Sequence, residues 1–268
     1  MPAPVAPVLY ATPGDAEHIA VITLNRPEAR NAVDRAMALG LEAAVDALED
    51  DPDTWVGVLA ANTGEQANPV FCAGADLRVI EATGSATALD TERGGFAGFV
   101  FRERTKPIVV AVDGLATAGG LEIVLAADIV VATTRAAFGL AEVRRNLVAA
   151  AGGLYRLPRA IGRAAAMDAI LTGEPIPARR AYELGLVSRL VEPGAALDEA
   201  LRCARQIAAA APLAVRASRH AVLLAGSEPD ETLRRTTRAM LDELLAADDT
   251  AEGLRAFAEK RPPQWQGR

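Results

Sequence analysis

Cysteine is scarce in this chain of 268 residues: Cys72 and Cys203 are the only two. They are too few for a disulfide framework and lack the spacing of metal ligands, so a reducing, cytoplasmic setting and no resident metal are expected. Positive charge is also in deficit. Lys and Arg number 28 against 35 Asp and Glu, a net charge of −7, which excludes long-range attraction to nucleic acid or an anionic membrane. The absence of a lysine-rich helix counts further against RNA. Long apolar runs are missing too: in the most hydrophobic region Asp113, Glu122 and Asp128 interrupt every stretch well short of the roughly 18 apolar residues a membrane helix needs. Met1-Pro2-Ala3-Pro4-Val5 has neither a basic start nor a long apolar stretch, so no signal peptide is expected. There is no repeat, no low-complexity tract and no linker rich in Gly, Ser or Pro.

What remains is 51% hydrophobic and 24% charged, the composition of a soluble globular chain able to bury a substantial core. Residues 18–24 alternate and are β-branched, which predicts a strand ended by the turn Asn25-Arg26-Pro27. Asp34 is placed to cap a helix carrying Met37, Leu41, Val45 and Leu48 at helical spacing, closed by Pro52. Residues 55–61, 108–112 and 129–133 are short apolar runs that predict buried strands. Strands alternating with helices imply α/β architecture. From about Ala195 strand signals vanish and amphipathic helices follow, marked by Leu197, Leu201, Ala204, Ile207 and Ala208, then Leu233, Thr237, Met240, Leu241 and Leu244.

The most informative feature is Gly119-Gly120-Leu121-Glu122-Ile123-Val124-Leu125-Ala126, where one carboxylate sits inside an apolar run just after two glycines. A helix apolar all round is normally buried, and a buried carboxylate costs several kcal/mol or raises its pKa. A second glutamate, Glu142, follows Phe138-Gly139-Leu140-Ala141. Upstream lies another small-residue turn, Phe71-Cys72-Ala73-Gly74-Ala75-Asp76-Leu77. Backbone N–H groups at Ala75 and Gly119 could stabilise an enolate oxygen formed from a thioester, and two glutamates could add water to a double bond. Each part alone reads equally well otherwise. Either glycine turn is an ordinary strand-to-helix connection, Glu122 the partner of a buried arginine, and Glu142, beside Arg144 and Arg145, a solvated surface group. Arg78 could face a phosphate or simply solvent. His220 reads as a packed histidine and Cys72 as small core filling.

Taken together and in order, these residues resemble the crotonase, or enoyl-CoA hydratase/isomerase, superfamily. The resemblance runs from Val21-Ile22-Thr23-Leu24-Asn25-Arg26-Pro27 with Asn31-Ala32, through the two turns, Ala126-Ala127-Asp128, Gly152-Gly153 with Arg156-Leu157-Pro158, and Leu171-Thr172-Gly173, to the tail from Glu252 to Arg261. It implies a ββα-spiral catalytic core over residues 1–194 and an α-helical trimerisation region over 195–268, giving a trimer or a dimer of trimers. It also implies an acyl-CoA substrate of fatty-acid or lipid metabolism, with coenzyme A part of the substrate and no other cofactor. Carried over by position, the oxyanion hole is the N–H groups of Ala75 and Gly119. Glu122 activates water and Glu142 exchanges a proton at the α-carbon. Ala73, Ala75, Asp76, Leu77, Arg78 and Gly119 lie along the thioester, pantetheine or phosphate. Retention of both glutamates favours reversible hydration of a 2-enoyl-CoA. The alternatives are a double-bond isomerase, a carnitinyl-CoA dehydratase-like enzyme, and a non-catalytic acyl-CoA- or RNA-binding relative. Three departures stand out: Asn146 occupies a usual Gly position, Ala149-Ala150 a usual Pro-Gly, and the bulky Leu121 is expected to narrow the pocket.

Overall fold

The computed structural model describes residues 6–14 and 16–268; residues 1–5, on which the signal-peptide expectation rests, lie outside it. The first expected strand forms β2 (Ile19–Leu24), starting one residue late because His18 takes φ 63°. It pairs antiparallel with β1 (Val8–Ala11). Asp34 caps α1 (Arg35–Asp50) as expected, accepting the Met37 N–H at 2.8 Å, and Met37, Leu41, Val45 and Leu48 are all buried on one face.

Beyond α1 the chain repeats one unit three times: a strand in a large sheet, a short strand in a small sheet, then a helical segment. The first unit is β3 (Val56–Ala61), β4 (Val70–Cys72) and α2 (Leu77–Thr83), followed by a ribbon of β5 (Asp90–Thr91) and β6 (Gly95–Phe96). The second is β7 (Ile108–Val112), β8 (Leu115–Thr117) and α3 (Gly119–Ala126). In the third, β9 (Ile129–Thr133) and β10 (Ala137–Gly139) lead into a 3-10 turn, Glu142–Arg145, and then α4 (Gly153–Ile161). After α5 (Arg163–Thr172), β11 (Ile176–Pro177), α6 (Ala178–Glu183) and β12 (Arg189–Val191) complete both sheets. The large sheet has the order β1-β2-β3-β7-β9-β12, parallel except at β1, and the small sheet β11-β10-β8-β4, parallel except at β11. The step between sheets is tight. Gly114, at φ 146°, turns the chain from β7 to β8 with the Pro69 carbonyl oxygen 2.3 Å from where a Cβ would stand.

Strand side chains alternate between two faces, and both faces of the large sheet are covered. Ile108, Val110 and Val112 join the core beneath α1, α3 and the small sheet, whereas Val109 and Ala111 face the other way, against Ala196, Ala200, Cys203 and Ala204 of α7 (Ala196–Ala208). That is why these strands read as continuous apolar runs. The remaining helices, α8 (Pro212–Leu224), α9 (Asp230–Leu245) and α10 (Asp248–Glu259), bury only Pro212, Asp249 and Ala256. The helical C-terminus is as expected, but its first helix covers the sheet. Among the described residues no single helix is long and apolar enough to cross a membrane.

Candidate active site

The small sheet assembles the site. β10, β8 and β4 are adjacent and parallel, so their C-terminal ends lie together, and the chain leaving them supplies Glu142, Gly119 and Ala75 respectively. Ala75 forms a parallel bridge with Val33: the Gly74 carbonyl accepts the Val33 N–H at 2.7 Å and the Asp76 N–H donates to the Val33 carbonyl at 2.9 Å. Successive extended amides point in opposite directions, so the Ala75 N–H faces away from the bridge. It has no hydrogen-bond partner among the described residues. Gly119 opens α3, where the first N–H groups have no partner within the helix, and its N–H is likewise unpaired. The two turns abut: a Cβ on Gly74, at φ 85°, would stand 2.8 Å from the Gly119 nitrogen.

Both turns are held from behind. Cys72 is fully buried; its thiol donates to the Asn31 carbonyl at 3.1 Å, and its sulfur accepts the Gly74 N–H at 3.5 Å. Burial pushes that thiol up to about 12, so it braces the turn and is no nucleophile. Ala118 sits at φ 51°, ψ −128°, a backbone region that favours glycine. Its N–H donates to the Gly139 carbonyl at 2.8 Å, and its carbonyl accepts from Leu121 and Glu122 at 2.9 and 3.2 Å.

Glu122, on the first turn of α3, is only 4% exposed, and its Oε1 accepts the Gly153 N–H at 2.9 Å. Burial pushes its carboxyl up to about 7; the Gly153 bond opposes the rise and the nearby Glu142 charge adds to it. Glu142 is half-buried. Desolvation raises it too, against the pull of its own backbone N–H and of Arg145, and its Oε2 is buried without a partner. Neither glutamate forms an ion pair among the described residues. Both line one cavity of about 590 Å³ together with Ala73, Ala75, Leu77 and Gly119, a size suited to a small-molecule ligand.

Two of the expected binding residues, beside Ala75 and Leu77 in the chain, do not themselves line the cavity. Asp76 caps α2 and holds Arg26 and Arg78 at 3.6 and 3.0 Å, while the Arg78 side chain, 77% exposed, is turned onto Asp76. Neither is a wall of the cavity. Leu121 is fully buried in the core and does not line the cavity; the expected narrowing does not occur because the residue points into the protein. His220 is exposed rather than packed, since α8 buries little. Asn146 does keep a left-handed turn, at φ 56°, ψ 35°. The sequence reading missed Phe96, whose ring lies against Gly119, 2.4 Å from where a Cβ there would be. It also gave no role to Gly153, which it named only, with Gly152, as part of the resemblance.

Residues 14–268 match the family described as enoyl-CoA hydratase/isomerase. (E)-Benzylidenesuccinyl-CoA hydratase of Thauera aromatica is 40% identical over 250 residues, covering 93% of this chain and 96% of that protein. Carnitinyl-CoA dehydratase of Salmonella arizonae is 36% identical over 251 residues, covering 92% and 94%. The crystal structure of enoyl-CoA hydratase from Mycobacterium tuberculosis H37Rv superposes with a TM-score of 0.91 at 41% identity, covering 98% of this chain and all of that one.

Proposed function

The chain belongs to the enoyl-CoA hydratase/isomerase family, and from that premise we infer that it is a hydro-lyase adding water reversibly across the double bond of a 2-enoyl-CoA. The observation that carries this reading is the convergence of two unpaired backbone N–H groups and two desolvated glutamates on one cavity.

The thioester oxygen is received by the N–H groups of Ala75 and Gly119, already oriented and with no other bond to break. Losing one such donor typically costs about 10² to 10³ in rate. Water lies between the glutamates. Glu122, fixed by Gly153, takes a proton from it as the oxygen bonds to the β-carbon; the π electrons move onto the thioester as an enolate, and Glu142 delivers a proton to the α-carbon. The product is a 3-hydroxyacyl-CoA, and the reverse steps expel water. A general base near neutrality suits this work, and Glu122 is raised to about 7. The chemistry calls on no metal or redox group, coenzyme A being part of the substrate.

The exposed apolar residues of the C-terminal helices, among them Val222, Leu245, Leu254 and Phe257, support the further reading that residues 195–268 assemble the chain into a homotrimer or a dimer of trimers. The test of activity is a panel of enoyl-CoA thioesters, followed by loss of the conjugated-thioester absorbance and product identification. A 3-hydroxyacyl-CoA from at least one is expected; a shifted double bond from all would make the chain an isomerase.

A further inference from the structure

The cavity holds a third carboxylate that hydration does not use. Asp90 and Phe96 are directly opposed in the antiparallel ribbon β5–β6, and directly opposed residues project their side chains to the same face, about 5 Å apart. Because the Phe96 ring rests on Gly119, that shared face is the one turned to the oxyanion hole, and both residues line the cavity. The main chain there is anchored from outside, the Asp90 carbonyl accepting Arg35 Nη1 at 2.5 Å.

The Asp90 carboxylate accepts no hydrogen bond and joins no ion pair among the described residues. Burial raises its carboxyl above the ordinary range, with no cation or donor to offset the rise. Two arginines that line the same cavity, Arg30 and Arg145, are exposed and do not compensate it. Asp90 is not among the groups that shift Glu122 or Glu142. Most of the cavity lining is apolar, including Phe96, Phe101, Leu115 and Ile80. An unpaired acceptor in such a wall lowers the affinity of a plain hydrocarbon chain, which would bury it unsatisfied.

We propose that Asp90 selects the acyl group: the preferred substrate carries a hydrogen-bond-donating or cationic substituent beyond the double bond, received by this carboxylate. The inference rests on the hydratase reading and names its substrate class. Asp90 is partly exposed, and a substrate that covers it without pairing it is strongly disfavoured.

The test compares kcat/KM for two pairs of like-sized thioesters on wild type and Asp90→Asn. The first pair is γ-hydroxycrotonyl-CoA and pent-2-enoyl-CoA; the second is γ-trimethylammonio-crotonyl-CoA and its carbon isostere bearing a tert-butyl group. Wild type is expected to favour the polar member of at least one pair by about 10- to 100-fold, the worth of a hydrogen bond to a charged group. Preference in the first pair identifies a hydroxyl donor, and in the second a cation. Asp90→Asn should lose the preference, its rate on the apolar member rising because the charge that a hydrocarbon would bury is gone. Equal handling of both members by wild type overturns the proposal, as does a uniform loss on all four thioesters in the variant. Binding of the saturated pair γ-hydroxybutyryl-CoA and pentanoyl-CoA, measured by calorimetry, reads a hydroxyl preference without turnover. Absence of hydration would therefore count against the hydratase reading alone, and absence of preference in rate and binding against Asp90.

Discussion

In the proposed reaction Glu122 sets activity and stability against each other. Its carboxyl stands near 7 in the folded chain and near 4.5 when exposed, so between those values the folded state holds a proton that the unfolded state has released. Stability tied to this group is fully present below about 4.5 and is lost as pH rises through about 7. At about 1.4 kcal/mol per pH unit the ionised form costs on the order of 3 kcal/mol. In the proposed reaction the same ionisation creates the base that water needs. Thermal melts at pH 8 should therefore show Glu122→Gln more stable than wild type by several degrees, with the difference shrinking toward pH 4.5, while wild-type kcat/KM falls on the acid side of about 7. A difference between variant and wild type no larger at pH 8 than at pH 4.5 would show that the carboxylate is not desolvated as described. This residue was legible in the sequence, because a single charge in an apolar helix has few innocent explanations. The partnerless Oε2 of Glu142 was not, since Arg144 and Arg145 beside it suggested a solvated pair. Arg144 in fact turns to Glu174, and Arg145 lowers the Glu142 carboxyl without forming an ion pair. Asp90 carried no signal at all; only the ribbon register reveals where it faces.

At the scale of elements, the site depends on three strands of three residues each, too short to show a period of two, which is why the small sheet could not be read in advance. The large-sheet strands and α1 could, because each buries a full face. The turn before α3 stores strain. Ala118 at φ 51° costs about 1–3 kcal/mol in a region that glycine enters freely, of which glycine's extra freedom in the unfolded chain returns about 0.4–1 kcal/mol. Ala118→Gly is expected to raise Tm by roughly 2–4 °C in a calorimetric scan; a fall would mean that the surrounding hydrogen bonds do not strain this residue. Asn146 is the milder case. Its sequence identity already announced tolerance of φ > 0, and the turn that carries Glu142 keeps its left-handed close through it.

For the whole molecule, α7 covers the large sheet, whereas α8, α9 and α10 bury little and expose apolar surface. Arg219 of α8 reaches Asp128 at 2.9 Å and the Arg104 carbonyl at 2.6 Å, fastening α8 beside the sheet. Phe257, 86% exposed on α10, is the most exposed of the large apolar side chains on which the proposed assembly rests. Light scattering after size exclusion should give a trimer or hexamer for wild type and a smaller species for Phe257→Glu; an unchanged mass would move the interface elsewhere. Helical character in this region was plain from periodicity, but the packing of α7 on the sheet was not, because small residues such as Ala196, Ala200 and Ala204 mark a close face without saying against what. Water addition by the glutamate pair is tested most directly by the oxygen itself. In heavy-oxygen water the wild type acting on its best 2-enoyl-CoA should give 3-hydroxyacyl-CoA labelled at the β-hydroxyl, with Glu122→Ala and Glu142→Gln slower by about 10² to 10⁴. Labelled product formed at wild-type rate by either variant, or no labelled hydroxyl from wild type with any acyl group, would contradict it.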